Sequence, residues 1–228
     1  IEKPPTTQKI YKQILLIPVI FPGVKRWHHE RFFPNPDFSN SWETLLSNHL
    51  NEKFWRTRHF ILNRVDHINS MRANVNNPTG ENCAYCKNFL NRPTPSKDTH
   101  VHCLFHCPRI FQAWGGIFPI LTKIGMRIPP ISPHIILGFK GHNLNVILAN
   151  TLVAATINAA WNARNNSKFE NEHIPSKTIS KIALNMFKNA IRTQFQLAHR
   201  KNDVVNFAKK FNYPQILQIR GQTISFLV

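Results

Sequence analysis

The chain is poor in acidic residues. Of its 228 residues only 11 are Asp or Glu, whereas 29 are Lys or Arg, so the formal net charge is +18 with His neutral. A surplus of this size is rarely tolerated without a polyanionic partner, and nucleic acid is the partner that the composition favours. An anionic membrane surface is the lesser alternative, because the cations are dispersed along the chain and not concentrated in one helix or tail.

The chain also lacks a long uninterrupted hydrophobic run. Residues 141–163 carry no formal charge, but Asn and His residues interrupt them. A buried helix of a soluble protein therefore fits this stretch better than a membrane span, and we expect no membrane association. The first residues have the features of neither a signal peptide nor a transit peptide. Because the chain begins at Ile1 and not at Met, we expect it to be a piece of a larger protein.

Cysteine is scarce and confined to one segment. All four cysteines lie between residues 83 and 107, in a stretch that is also rich in His. This clustering in a basic chain favours a metal in a reducing compartment over a disulfide scaffold. The spacing is Cys83-x2-Cys86, then fifteen residues, then His102-x4-Cys107. Two thiols on one tight turn and an imidazole–thiol pair can close a tetrahedral zinc site, so we expect structural Zn²⁺ as the cofactor.

The second half of this segment offers more donors than zinc can use: His100, His102, Cys103, His106 and Cys107. The pair His102 and Cys107 fits if a turn begins after His102 and Cys107 caps the next helix, which Pro108 would open. The alternative is Cys103 with Cys107, because residues four apart meet on one helical face. The metal set predicted here is Cys83, Cys86, His102 and Cys107, with Cys103 as the alternative third ligand.

The predicted fold is mainly α-helical, stapled by a zinc knuckle of three cysteines and one histidine. Residues 1–40 hold six prolines around one apolar run, which predicts an extended, proline-rich strap. Residues 41–125 are expected to form helices, over 41–73 and then over Ile110 to Phe118, around the zinc segment, with Pro119 ending the last of them. Residues 126–228 are expected to form a C-terminal helical region with one helix from Leu144 to about Asn165 and another from near Pro175.

The last predicted helix carries a basic stripe. At 100° per residue, an apolar arc that includes Ile179, Ala183 and Leu197 lies roughly opposite a stripe of cations. Cations spaced along one face can follow a nucleic-acid backbone, although a face that only meets water has the same pattern. Phe195 falls in the stripe and could stack on an unpaired base or pack against a neighbouring element. The predicted nucleic-acid contacts are Lys177, Lys181, Lys188, Arg192 and Phe195, with Lys53, Arg56 and Arg64 on an earlier basic helix.

Together these motifs resemble a known family. Cys83-x2-Cys86, the Asp98-Thr-x-x-His102 stretch, and His102-x-Leu-Phe-x-Cys107-Pro before a helix with Trp114 are similar to the zinc-binding segment downstream of the reverse transcriptase in non-LTR (LINE-type) retrotransposons. Downstream, Trp161-Asn-Ala-Arg164-Asn is similar to the Trp-x-x-Arg-Asn ending of that family's next helix. The resemblance covers about residues 41–170, and it places the family's ligands on the four residues of the predicted metal set.

The resemblance implies a non-catalytic, zinc-stabilised C-terminal module that positions template RNA or target DNA beside the reverse transcriptase of the same polyprotein. The implied location is the nucleus, with a cytoplasmic ribonucleoprotein stage, as transposition requires. No adjacent Asp-Asp, no nuclease carboxylate motif and no Gly-rich phosphate loop occurs in the chain, so no enzyme activity is expected of it. The alternatives are a structural RNA-binding subunit of a large ribonucleoprotein and a protein-interaction module that zinc shapes.

Overall fold

The computed structural model describes residues 82–90, 96–127, 133–141 and 143–228, together with Phe54 and Thr57. This part of the chain is mainly α-helical, as predicted. The proline-rich strap over 1–40 and most of the helical stretch over 41–73 lie outside the described residues, and so do the predicted nucleic-acid contacts Lys53, Arg56 and Arg64. Those expectations stay predictions.

The described residues form helices followed by a β-hairpin. A π-helical turn over His102–His106 leads directly into α2, and a 3₁₀ turn over Pro133–Leu137 precedes α3. The hairpin is antiparallel and pairs Leu217 with Phe226 and Arg220 with Thr223. The elements in chain order are α1 (Ala84–Asn88), α2 (Pro108–Lys123), α3 (Leu144–Phe169), α4 (Ser176–Arg200), α5 (Val204–Phe211), β1 (Leu217–Arg220) and β2 (Thr223–Phe226).

Helix α3 is the central element of the fold, as its composition predicted. The side chain of Asn143 accepts a hydrogen bond from the backbone N–H of Val146 and caps its start at 2.9 Å. Every residue from Leu148 to Ala160 is buried, so no side of the helix faces solvent along these turns. By length and composition α3 could cross a membrane, yet 78% of its most apolar window is buried inside the fold. This is the placement of a core helix.

Helix α4 packs along both α3 and α2, and it begins at Ser176, close to the predicted start near Pro175. A glycine allows the close approach to α2: a Cβ on Gly116 would lie 3.0 Å from the Oγ of Ser180. The Ser180 hydroxyl donates to the backbone carbonyl of Ala113 at 2.8 Å, which ties the two helices together. The described parts of the predicted regions 41–125 and 126–228 therefore share one hydrophobic core.

The predicted end of α2 at Pro119 is wrong, because the helix continues to Lys123. A proline inside a helix removes the hydrogen bond to the carbonyl four residues earlier, here that of Gly115. Gly115 and Pro119 are both exposed, so water can reach the carbonyl that is left without a partner. The helix continues because the next turn buries Ile120 and Leu121 in the core.

Two C-terminal elements had not been predicted, namely α5 and the β-hairpin. Asn202 has a φ of 53° and ends α4 in the left-handed conformation that Asn tolerates. Gly221, with a φ of 57°, stands in the two-residue turn between the strands, where positive φ favours glycine. The alternation of apolar and polar residues around this Gly-Gln turn was the available sequence signal.

Candidate metal centre

Four side chains of the zinc-like motif meet in one buried group. Cys83, Cys86, His102 and Cys107 each offer one donor atom, and these atoms all lie within 4.8 Å of one another. The Sγ of Cys86 is 3.4 Å from the Nε2 of His102. All four cysteines of the chain are free thiols, so no disulfide competes for the group. The four residues could hold a metal ion, which confirms the predicted grouping.

The first half of the group is a short turn that opens α1. Cys83 precedes the helix with an extended backbone, and its carbonyl accepts the N–H of Lys87 at 3.0 Å. Its own N–H donates to the carbonyl of Ser96 at 2.8 Å, which joins the turn to the segment that leads to the second half. Residues three apart share one helical face, so α1 presents Cys86 on the same side as Cys83.

The second half depends on the π-helical turn His102–His106. Residues five apart in an α-helix point about 140° away from each other, since each residue turns by about 100°. The wider π turn, closed by the N–H of Cys107 donating to the carbonyl of His102 at 2.7 Å, brings both side chains to one side. Cys107 then precedes α2 with Pro108 as its first residue, as predicted.

The structure decides between the alternative ligands. Cys103 is buried, but its thiol donates to the carbonyl of His100 at 3.5 Å, and it does not belong to the four-residue group. His100 and His106 are outside the group as well. Thr99 orients the start of the turn, because its hydroxyl accepts the backbone N–H of His102 at 3.1 Å. The geometry therefore selects His102 over Cys103 as the third donor.

The close contacts among the donors change their protonation. Burial lowers the pKa of His102, but the hydrogen bonds that its protonated ring donates to the sulfurs of Cys83 and Cys86 outweigh burial and raise this pKa to about 9. A hydrogen bond from Cys107 lowers the pKa of Cys83, and the same contact raises the pKa of Cys107. The sulfurs and the imidazole thus share protons in a small volume. A metal cation can take the place of those protons, since it binds thiolate and neutral imidazole.

A buried ion pair ties the segment between the two half-sites to α3. Asp98 and Arg164 are 1% and 5% exposed, and the guanidinium contacts both carboxylate oxygens through Nη2 and Nε. Arg164 also lies 5.0 Å from the ring centroid of Trp161. In the sequence analysis Asp98 appeared only in the Asp98-Thr-x-x-His102 motif, and its pairing with α3 had not been predicted.

Arg109 is a second buried cation beside the group, and sequence reasoning missed it. Its guanidinium donates to Ser167 Oγ at 2.8 Å and to the carbonyl of Ala163 at 3.2 Å, and it lies 4.1 Å from the ring centroid of Tyr85. Burial lowers the pKa of Arg109, and the nearby thiols Cys107 and Cys83 oppose that shift. Among the described residues no carboxylate pairs with Arg109, and it shares a small cavity with those two cysteines.

The predicted basic stripe on α4 is largely on the surface. Lys177, Lys181 and Arg192 are exposed, and Lys188 is half-buried. Arg192 donates to the side chain of Asn189 at 3.3 Å and lies 5.2 Å from the ring centroid of Phe226 in the hairpin. Contact of the stripe with phosphate stays a prediction.

Of the two possibilities for Phe195, packing against a neighbouring element is confirmed and stacking on a base is wrong. Its side chain is 6% exposed, and its ring meets that of Phe207 edge to face at 5.6 Å. Helix α5 folds back over the last turns of α4 and covers this side, which moves the buried face of α4 towards Phe195. As a result Leu197, which had been assigned to the apolar arc, is 41% exposed.

The chain matches no family model, no curated protein and no solved structure. The likeness to the LINE-type zinc segment therefore rests on the motif residues alone. Function has to be argued from the chemistry of the site and not from a fold relationship.

Proposed function

We propose that this chain is a non-catalytic, zinc-stapled nucleic-acid-binding module, and that it is the C-terminal part of a LINE-type reverse transcriptase polyprotein. In this proposal zinc holds the segment 83–107 in shape, and the basic stripe on α4 contacts the backbone of template RNA or target DNA. The partners are nucleic acid and the rest of the polyprotein. The protein works in the nucleus, after a cytoplasmic ribonucleoprotein stage.

The geometry of the donor group supports zinc as the metal. Tetrahedral zinc with bond lengths of about 2.3 Å to sulfur and about 2.0 to 2.1 Å to nitrogen places sulfur and nitrogen about 3.6 Å apart. The distance of 3.4 Å between Cys86 Sγ and His102 Nε2 is close to this sulfur–nitrogen distance. Three thiolates and one imidazole saturate a four-coordinate ion, which leaves no position for a reactive water. The site is therefore assigned a structural role.

The charge around the group supports the same assignment. Zn²⁺ with three thiolates and a neutral imidazole has a net charge of −1, and a buried charge needs a partner. Arg109 is a buried guanidinium whose described hydrogen-bond partners are the neutral Ser167 and Ala163. Because it lines the same small cavity as Cys83 and Cys107, it is placed to neutralise the metal-loaded group.

The observation that carries nucleic-acid binding is the charge of α4. From Ser176 to Arg200 the helix contains no Asp or Glu, and the stripe cations lie on the side away from the core, which Ile179, Ala183 and Phe187 fill. Cations held in one row on a well-packed helix can meet successive phosphates, and they gain affinity by releasing the counterions of those phosphates.

The stripe is tested by replacing Lys177, Lys181, Lys188 and Arg192 with Gln and measuring binding to RNA and DNA across a range of salt concentrations. Each phosphate contact contributes about 0.7 to 0.9 to the slope of log affinity against log salt, so losing all four should flatten it by about 3. The matched control replaces four other cations, Lys123, Lys140, Lys201 and Lys209, with Gln. If both variants lose the same affinity and the same salt dependence, the stripe contributes only through the net charge of the protein and not through contacts of its own.

The link to a reverse transcriptase has its own test, which is independent of binding. The coding sequence upstream of Ile1 should encode a reverse transcriptase in the same reading frame. Finding an unrelated reading frame there would favour the ribonucleoprotein subunit instead, and the module would keep its nucleic-acid role.

A further inference from the structure

A stack of flat side chains leads from the metal centre to the protein surface. Arg109 lies over the ring of Tyr85, and the ring of His173 stacks on Tyr85 with centroids 5.5 Å apart and planes 16° from parallel. Phe89 supports both rings, at 5.7 Å from Tyr85 and 5.3 Å from His173. Arg109 is 3% exposed, whereas His173 is exposed to solvent. We call Tyr85, Phe89 and His173 the aromatic platform.

The platform is anchored on both sides. Tyr85 lies between the metal donors Cys83 and Cys86 on α1, so the group that could hold a metal also fixes its ring. His173 belongs to the loop between α3 and α4, and this loop is tied to α1 by a hydrogen bond from the side chain of Asn88 to that of Asn171 at 3.1 Å. A ring that is held in place before the ligand arrives loses little conformational freedom on binding.

The platform residue His173 comes shortly before the basic stripe in the chain. His173 precedes Lys177, the first stripe cation, by four residues, and both side chains are exposed. Single-strand-binding proteins combine these two features: a row of cations that follows the backbone and an aromatic ring on which a base stacks. The buried Phe195 cannot supply such a ring, whereas His173 can.

The loop around His173 also carries acidic groups, and they favour a base over a phosphate at this point. Glu170 and Glu172 are both exposed, and the carboxylate of Glu172 accepts a hydrogen bond from Asn166 at 2.6 Å. Carboxylates repel a phosphate, but they do not repel the uncharged face of a base. The ligand group that fits the platform is therefore a flat, neutral ring next to a phosphate that the stripe holds.

We propose that the exposed ring of His173, supported by Tyr85 and Phe89, stacks on an unpaired base of single-stranded nucleic acid whose phosphates run along the basic stripe from Lys177. This inference rests on the proposed nucleic-acid function and deepens it, because it names an unpaired strand as the ligand. A base inside an intact duplex offers no free face to the platform, so the platform adds no affinity for duplex DNA.

The test compares His173→Ala with His173→Phe in the full, zinc-loaded chain. The probes are a mixed-sequence single strand, as RNA and as DNA, and the DNA duplex of the same sequence. His173→Ala should weaken binding of the single strands roughly 5- to 150-fold, the range for one stacked base, and leave duplex binding unchanged. His173→Phe keeps a flat ring and should bind like the wild type. Zinc content and far-ultraviolet circular dichroism confirm that each variant is folded.

A matched control is Phe169→Ala, which removes another exposed aromatic ring, 65% exposed, that precedes the same loop. It should leave single-strand binding unchanged. If His173→Ala binds single strands like the wild type while the Gln variant of the basic stripe loses affinity, the stacking proposal is wrong and the proposed nucleic-acid binding stands. Equal losses in His173→Ala and His173→Phe also reject stacking. If the wild type binds neither strands nor duplex at low salt, both proposals are wrong.

Discussion

Asp98 and Arg164 form a buried ion pair between the segment that leads to the second half of the metal group and the C-terminal part of α3. Both side chains are almost fully buried, and the guanidinium contacts both carboxylate oxygens. Asp98 lies four residues before His102, so the pair sets where the π-helical turn begins relative to the core helix. The position of the metal group in the fold thus depends on a contact outside the group.

Breaking this pair should destabilise the protein strongly. Asp98→Ala leaves a buried guanidinium without its counter-charge, which typically costs about 3 to 5 kcal/mol. The double variant Asp98→Leu/Arg164→Met removes both charges and should recover part of that loss. Denaturant unfolding gives the free energy of unfolding of each variant, and hence both the loss and the recovery. If the double variant loses as much stability as Asp98→Leu and Arg164→Met lose separately when added together, the two side chains do not interact.

The two glycines of α2 should respond oppositely to Ala. A Cβ at Gly115 meets nothing within 4 Å, so Gly115→Ala should stabilise the helix by up to about 1 kcal/mol. A Cβ at Gly116 would meet the Oγ of Ser180 at 3.0 Å and its Cβ at 3.2 Å, so the Ser180 side chain, which donates to the carbonyl of Ala113, would have to shift by a few tenths of an ångström. Gly116→Ala should therefore be the less stable variant in thermal unfolding. Equal stability of the two would contradict the close approach of α2 and α4.

Removing the cation beside the metal group should weaken metal binding without removing a ligand. Arg109→Met keeps the side-chain bulk but leaves the anionic zinc–thiolate group without its buried counter-charge. Replacement of groups that support metal ligands typically lowers metal affinity 10- to 100-fold. Competition with a chromogenic chelator measures the change, and Arg200→Met is the control at an exposed arginine. Unchanged zinc affinity in Arg109→Met would mean that Arg109 acts only through its contacts with Ser167 and Tyr85.

Cys103 is the cysteine outside the four-residue group, and replacing it tests which residue is the third metal ligand. Cys103→Ser should keep its full zinc content, because the Cys103 thiol donates to the carbonyl of His100 and a hydroxyl can do the same. His102→Ala should lose zinc or bind it weakly, since a saturated site would be reduced to three donors. Metal analysis of the two purified variants separates the alternatives. If Cys103→Ser loses zinc and His102→Ala retains it, Cys103 is the third ligand and His102 is not.

Local patterns predicted what depends on local chemistry. Helix α3 followed from the apolar, Ala-rich composition of its segment and α4 from a long periodic segment, and Cys107 before Pro108 correctly predicted the start of α2. The group Cys83, Cys86, His102 and Cys107 followed from spacing, because a metal site constrains which donors can meet. The ligand ambiguity did not resolve in the sequence, since choosing His102 over Cys103 requires a π turn that no short pattern specifies.

The errors came from long-range packing. Pro119 stays inside α2 because core contacts of the following turn outweigh one lost hydrogen bond. Phe195 is buried because α5, which had not been predicted, folds over the end of α4. Arg109, Asp98 and His173 contact residues that are distant in the chain, so periodicity alone could not identify these contacts.

Metal analysis of the purified chain and of the double variant Cys83→Ser/Cys86→Ser tests the central claim most directly. Ligation contributes roughly 10 kcal/mol or more to the folding of small zinc modules, so zinc should be retained through purification in the wild type. We predict one zinc per chain in the wild type and none in the double variant, with loss of structure in the segment 83–107. A wild type without zinc, or a double variant that keeps stoichiometric zinc, would contradict the account.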